Sequence, residues 1–440
     1  MSEPRSLQKK LFINASLLFS GKAAAGGFAA IQTVVLARML GVTDYGLLQL
    51  VIAYIAMMNQ FFDVRVWETT VKYIGSYWEQ GETDKTLAMI KLSYFLDVGS
   101  GAVSFIIAIV TAKLISTYVI HSPEAYIYIW IYAFGLFVET AKLTSDAILR
   151  VFEKYKNIAV INSLENLTQL ALVAAFLLAG LGIKGALYGL IISNFIAAAV
   201  RVWVVARVLN EKRLGSWITA DIFLIRNQWK EIAWFLGNTS FMATLKTGSD
   251  KYLGVMILGF FAGKDAVAFY RIANSVAGVL NRIVDTLYEA IFPELIKFTT
   301  VNAMDEFKNY IKESTKNLMK LIVPVTVLII VFAGPIVRIV FGGQYAPATN
   351  ALRILALGVL IARYTYWINP ALLAMGKPGI RTAFYVVTTV VYLVLTLVLV
   401  PPYSYVGAAL AFLGFAVIKS ALSFFVFGYY MRQDGDESLS

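Results

Sequence analysis

The chain has 440 residues, 59% of them hydrophobic and only 15% charged, with a formal net charge of +11. A soluble chain carries about 25% charged residues, so a water-soluble globular protein is excluded and an all-α polytopic membrane protein is expected. There is no cysteine and a single histidine, His121, which excludes thiolate metal centres, disulfides and any Cys or His nucleophile–base pair, while Ser–Lys and two-carboxylate chemistry stay open.

Apolar runs of about 20 residues, the length needed to cross a ~30 Å hydrocarbon layer, predict about twelve transmembrane helices. They cover residues 11–38, 47–62, 88–112, 126–148, 157–180, 185–206, 231–261, 266–292, 317–340, 348–373, 380–400 and 405–430. The short alternating strands of a membrane barrel are absent from the pattern. The first run, preceded by Arg5, Lys9 and Lys10, has the layout of a signal peptide with Ala23 and Ala25 as a cleavage motif. It is read as a retained helix, because a similar helix recurs later in the chain. Lys and Arg accumulate on alternate connections, among them Arg65, Lys72, Lys85, Arg150, Lys154, Lys212, Arg213, Arg226, Lys230, Lys297 and Lys377. The positive-inside rule then places both termini in the cytoplasm and residues 39–46 outside.

A shift of about 222 residues superposes three landmarks. LGVTDYGLL (40–48) falls on LGFFAGKDAVAFY (258–270), with Gly41 over Gly263. AILR (147–150) falls on ALLA (371–374), and KGALYG (184–189) on VGAALA (406–411), with Gly185 over Gly407. Six spans in each half keep one orientation, which predicts parallel repeats. The expected lobes are residues 1–206 and 231–440, joined by a basic cytoplasmic linker at 207–230.

Several motifs resemble a known family. LARMLGVTDYGLLQL (36–50) is similar to the end of the first helix in polysaccharide flippases. SDKYLGVMILG (249–259), GKDAVAFYRIANSV (263–276) and IFPEL (291–295) resemble their second-half signature. FGGQYAPATNALRILALG (341–358) looks like their ninth-to-tenth helix connection. The chain is identified as similar to the polysaccharide transporter branch of the multidrug/oligosaccharidyl-lipid/polysaccharide exporter (MOP) superfamily, the branch of the O-antigen unit flippases. It departs at Ala268, where the family often has glycine. The resemblance implies a V-shaped, MATE-like pair of six-helix lobes. It also implies export of a lipid-linked oligosaccharide on a polyprenyl phosphate or pyrophosphate, with glycan polymerase and glycosyltransferases as partners and no nucleic acid, cofactor or metal.

Charges deep within spans are costly and point to function. Lys22 shares a helical face with Ala15, Gly26, Ala29 and Thr33. Lys246 stands within two residues of the equivalent place in the second half. Lys22, Lys142, Lys246, Lys251, Arg271, Arg282 and Arg363 are the candidates for a cationic cavity that meets the substrate's phosphate. Glu139 and Asp250 are candidates for ion coupling. Internal pairing is the competing reading, since Glu139 and Lys142 stand at i and i+3, and Lys246 and Asp250 at i and i+4. Tyr126, Tyr128, Trp130 and Tyr132 read as an interfacial belt. Tyr364, Tyr366 and Trp367, beside Arg363, are candidates for sugar stacking. No Gly–Lys pair has Walker A spacing, and no catalytic residue is assigned. An ion-coupled multidrug exporter is the alternative, and a glycan-assembling enzyme is disfavoured by short outer loops.

Overall fold

The computed structural model describes residues 3–62, 66–247, 252–301 and 303–437, all helical or in the turns between helices, with no strand among them. The helices are α1 (Glu3–Phe62), α2 (Val66–Glu79), α3 (Thr83–Tyr118), α4 (Ala125–Ala133), α5 (Leu136–Val151), α6 (Tyr155–Leu178), α7 (Gly182–Glu211), α8 (Trp229–Thr247), α9 (Gly254–Thr300), α10 (Met304–Val331), α11 (Ala333–Ile336), α12 (Ala348–Tyr364), α13 (Ile368–Ala374) and α14 (Pro378–Glu437). Among the described residues, eight stretches are long and apolar enough to cross a membrane. Two of these, Ala24–Phe62 and Pro378–Tyr430, are broken inside by Gly41 and Ser404, so each is the length of two crossings.

The breaks follow from local chemistry. Gly41 has φ 79°, ψ 179°, and Gly263 has φ 78°, ψ 179°. A side chain is strained at such φ, so glycine is the residue that lets a helix stop and restart there. The two dihedral pairs coincide at the offset that the sequence repeat predicts. The other aligned glycines also match. A Cβ on Gly185 would lie 2.7 Å from the Leu181 Cβ and 3.0 Å from the Phe176 carbonyl oxygen. One on Gly407 would strike the Leu399 carbonyl and lie 3.1 Å from the Tyr403 Cβ. Leu181 and Tyr403 are themselves 222 residues apart.

The chain packs as two compact units, Met1–Leu40 with Val51–Gly248, and Gly41–Leu50 with Ser249–Ser440. In the first, α2 buries Val66, Thr69, Thr70, Tyr73, Ile74 and Tyr77, an i, i+3, i+4, i+7 stripe. This helix lies outside the predicted spans. The Tyr73 hydroxyl donates to Glu231 Oε1 at 2.8 Å. Burial first, and then that carboxylate, hold the Tyr73 phenol above its ordinary pKa. In the second unit, residues 41–50 are packed in among its helices, with Tyr45, Leu47, Leu48 and Leu50 buried. Tyr45 meets Tyr345 edge to face at 6.2 Å, and a Cβ on Gly46 would collide with the Lys264 carbonyl. The same Cβ would stand 3.3 Å from the Ala268 Cβ. Gly46 thus gives Ala268 room, at the place where the chain departs from the family's usual glycine.

Candidate functional site

In the first unit, α5, α6 and α7 bring charged groups together inside candidate spans. Glu139, Lys142 and Asp146 stand at i, i+3 and i+7 on α5 and share one face. Glu165 is ten residues into α6, about 15 Å along its axis at 1.5 Å per residue. Gly189 lets α7 press close to α6, since a Cβ there would lie 2.7 Å from the Val173 backbone nitrogen. That close approach presents Asn194 and Arg201 to the same cluster.

Glu165 bridges the two cations. Its Oε1 accepts from Lys142 Nζ at 2.8 Å, and its Oε2 is 2.8 Å from Arg201 Nη1. Lys142 Nζ also meets Glu139 Oε2 at 2.9 Å and Asn194 Oδ1 at 3.2 Å. Arg201 Nε donates to Asp146 Oδ1 at 3.1 Å, Nη1 to the Ala197 carbonyl, and Nη2 to Asn162 Oδ1. The Arg201 side chain is 3% exposed and Glu165 13%, whereas Glu139 is 45% exposed. Three carboxylates face two cations, and each nitrogen of the guanidinium and the ammonium has a protein partner. Such a network ties three helices together, and removing Arg201 leaves the largely buried Asp146 without its contacting cation.

The second unit is different. Arg271, two turns beyond Gly263 on α9, donates from Nε to Gln49 Oε1 at 2.8 Å. The two residues are 222 apart in sequence, so corresponding positions of the two halves hydrogen-bond each other within one unit. The partner is a neutral amide, and the charge of Arg271 is not cancelled by that contact. Arg363, in the last turn of α12, donates from Nε to Asn281 Oδ1 at 2.9 Å. Nearby, Trp367 is buried against Phe424 and Phe427, and Tyr366 is also buried. Tyr364 alone of this trio exposes a ring. Trp130, from the proposed belt, is exposed and donates to the Ile109 carbonyl. The side chains of Lys22, Lys246 and Arg282, and all of Asp250 and Lys251, lie outside the described residues.

Sequence reading passed over Asp146, Asn162 and Asn194. Asp146 had a visible signal, its spacing from Glu139 and Lys142. The two asparagines had none, because their roles depend on how α6 and α7 meet α5.

A family described as "Polysaccharide biosynthesis protein" matches residues 35–350, which is most of the chain. The chain belongs to this family. Several relatives carry transport names. The "Putative O-antigen transporter" of Shigella flexneri is 23% identical over 391 residues, covering 88% of this chain and 90% of that one. The "Probable low-salt glycan biosynthesis flippase Agl15" of Haloferax volcanii is 29% identical over 167 residues, 38% of this chain, and the match spans only 35% of that protein. Among solved structures, an inward-facing multidrug resistance MATE family transporter of the MOP superfamily superposes with a TM-score of 0.78 at 14% identity, covering 94% of this chain and 95% of that one. The polysaccharide family therefore shares the fold of a multidrug transporter, and the fold by itself does not choose the cargo.

Proposed function

We propose that this multi-pass membrane protein is a flippase. It moves a lipid-linked oligosaccharide, carried on a polyprenyl phosphate or pyrophosphate, across the cytoplasmic membrane by alternating access. Two parallel lobes, residues 1–206 and 231–440 around the 207–230 linker, rock about a central cationic site, with both termini cytoplasmic. The observation that carries this reading is family membership over residues 35–350. The O-antigen transporter likeness over 88% of the chain supports it. A phosphate crossing hydrocarbon needs cations to replace its hydration. Arg271, bonded to a neutral amide, is suited to that task, and Lys22, Lys246, Lys251, Arg282 and Arg363 are candidates to join it. Lys142 is engaged by Glu139 and Glu165, which favours a structural part for it. Glu139, the most exposed acid of the cluster, and Asp250 are the candidates for ion coupling.

Complementation of a transporter-deficient strain tests this, with surface glycan normalised to protein in the membrane. Lys22→Ala and Arg271→Gln should lower export. Lys22→Glu should lower it further, and Lys22→Arg should retain part of it, since Arg keeps the charge with a different geometry. Normal export by a well-expressed Lys22→Glu protein removes Lys22 from the site. Export of organic cations in place of glycan supports the multidrug alternative.

A further inference from the structure

Beyond transport itself, residues 212–234 form a surface with a composition that protein packing does not explain. Two short 3₁₀ turns, Trp217–Thr219 and Ile222–Gln228, lead into α8. Ser216 and Asp221 cap them by accepting from the Ile218 and Phe223 amides. One side is anchored in the first unit: Leu214, Ile225, Ile232 and Leu236 are buried in its core. The other side carries Ile218, Phe223, Leu224, Trp229 and Trp234, with Phe223 61% and Trp234 73% exposed. Five large apolar side chains turned outward within seventeen residues constitute a patch.

The height of this patch is fixed by α3. Its outward apolar residues run Phe95, Val98, Val103, Ile106, Val110 and Leu114. From Phe95 to Leu114 is about 28 Å at 1.5 Å per residue, which matches the ~30 Å hydrocarbon thickness. Within the turn that precedes Phe95, the 3₁₀ segment is tied to the same helix. Lys91 Nζ donates to the Ala220 carbonyl at 2.7 Å, and Trp217 stacks on Tyr94 with ring centroids 4.6 Å apart. The patch therefore begins where the lipid-facing surface of α3 ends, at the level of the headgroups.

Charge selects the occupant. Lys212, Arg213, Arg226 and Lys230 are exposed among the apolar residues, and Lys212 leans over Trp78. The acids of the segment are already engaged: Glu211 by Lys154 and Arg207, Asp221 by the Phe223 amide, and Glu231 by Lys72 and Tyr73. No carboxylate among the described residues is within ion-pair distance of the four cations. Aromatic rings with basic neighbours at headgroup depth are the chemistry of an interfacial anchor. We infer that residues 212–234 lie in the membrane surface, with their apolar side chains in the acyl boundary and Lys212, Arg213, Arg226 and Lys230 binding anionic lipid headgroups.

The native chain has no cysteine, which makes depth measurement direct. Full-length protein carrying Phe223→Cys or Ile218→Cys is labelled with an environment-sensitive fluorophore and reconstituted in vesicles of phosphatidylcholine, with or without phosphatidylglycerol. Ile106→Cys, near the middle of the α3 span and outward-facing, and Gln80→Cys serve as deep and aqueous references. Labels at 223 and 218 should be quenched by nitroxides placed near the headgroup and shielded from a water-soluble quencher. Phosphatidylglycerol should deepen that shielding by about twofold or more, as expected for several basic residues near an anionic surface. Reversing the four cations to Glu should abolish the phosphatidylglycerol dependence while Ile106→Cys stays deep, which shows the protein still folded and inserted. Labels as open to water as Gln80→Cys in both vesicles overturn the inference. So does shielding that ignores phosphatidylglycerol and charge reversal. So does shielding in cell membranes that is lost in vesicles, since a protein would then be the occupant.

Discussion

Arg201→Gln is the sharpest perturbation of the charged cluster. In the native chain, Glu139, Asp146 and Glu165 face Lys142 and Arg201, a formal sum of −1. Glu165→Gln brings the sum to zero and leaves one acid on each cation, Glu139 on Lys142 at 2.9 Å and Asp146 on Arg201 at 3.1 Å. Arg201→Gln brings the sum to −2 and takes the contacting cation from Asp146. Removing one partner of a buried pair costs about 3–5 kcal/mol, and the 3% exposure of the arginine places it at the upper end. For Glu165→Gln, the lost charge-assisted hydrogen bonds are partly offset by relief of carboxylate repulsion, giving about 1–2 kcal/mol. In a melting experiment on purified protein in nanodiscs, these correspond to drops of roughly 3–5 °C and roughly 1–2 °C. The double variant should melt above the sum of the two, because the residues share a contact. If Arg201→Gln melts no lower than Glu165→Gln, the charge count does not govern this cluster.

Three further outcomes follow. Gly263→Ala, at φ 78° with open space around the new Cβ, should cost about 1–2 kcal/mol of backbone strain and leave a folded protein, as read by melting temperature. Gly46→Val, aimed into the Lys264 carbonyl, should abolish monodisperse protein in size-exclusion chromatography, and normal behaviour there would refute the close packing of residues 41–50. Tyr73→Phe removes the 2.8 Å hydrogen bond to Glu231 and should lower stability by about 1 kcal/mol without changing glycan export.

Much of the fold was legible because membrane helices announce themselves by length and hydropathy, and because helix breaks need particular residues. Gly41, Gly263 and the Pro401–Pro402 segment mark breaks that the structure contains. The repeat offset was visible in three landmarks and returns as matched dihedrals and matched glycine contacts. What was hidden depended on the third dimension. That residues 41–50 pack with the second unit has no signature in a local pattern. The short α2 was missed because its apolar stripe runs through polar and charged neighbours and falls outside a hydropathy window. At the candidate site, the i, i+3, i+7 spacing of Glu139, Lys142 and Asp146 could be read from the helix, but their bridging by Glu165 across helices could not.

The most direct test is translocation by purified protein. The chain is reconstituted in proteoliposomes with a fluorescent oligosaccharide on a polyprenyl pyrophosphate, and accessibility of the glycan to an externally added glycosidase is followed over time. The expected result is complete digestion in vesicles that contain the protein, digestion of only the outer pool in vesicles without it, and loss of the difference with Lys22→Glu. Digestion that stops at the outer pool with well-folded protein, together with movement of an organic cation in the same vesicles, contradicts the flippase reading.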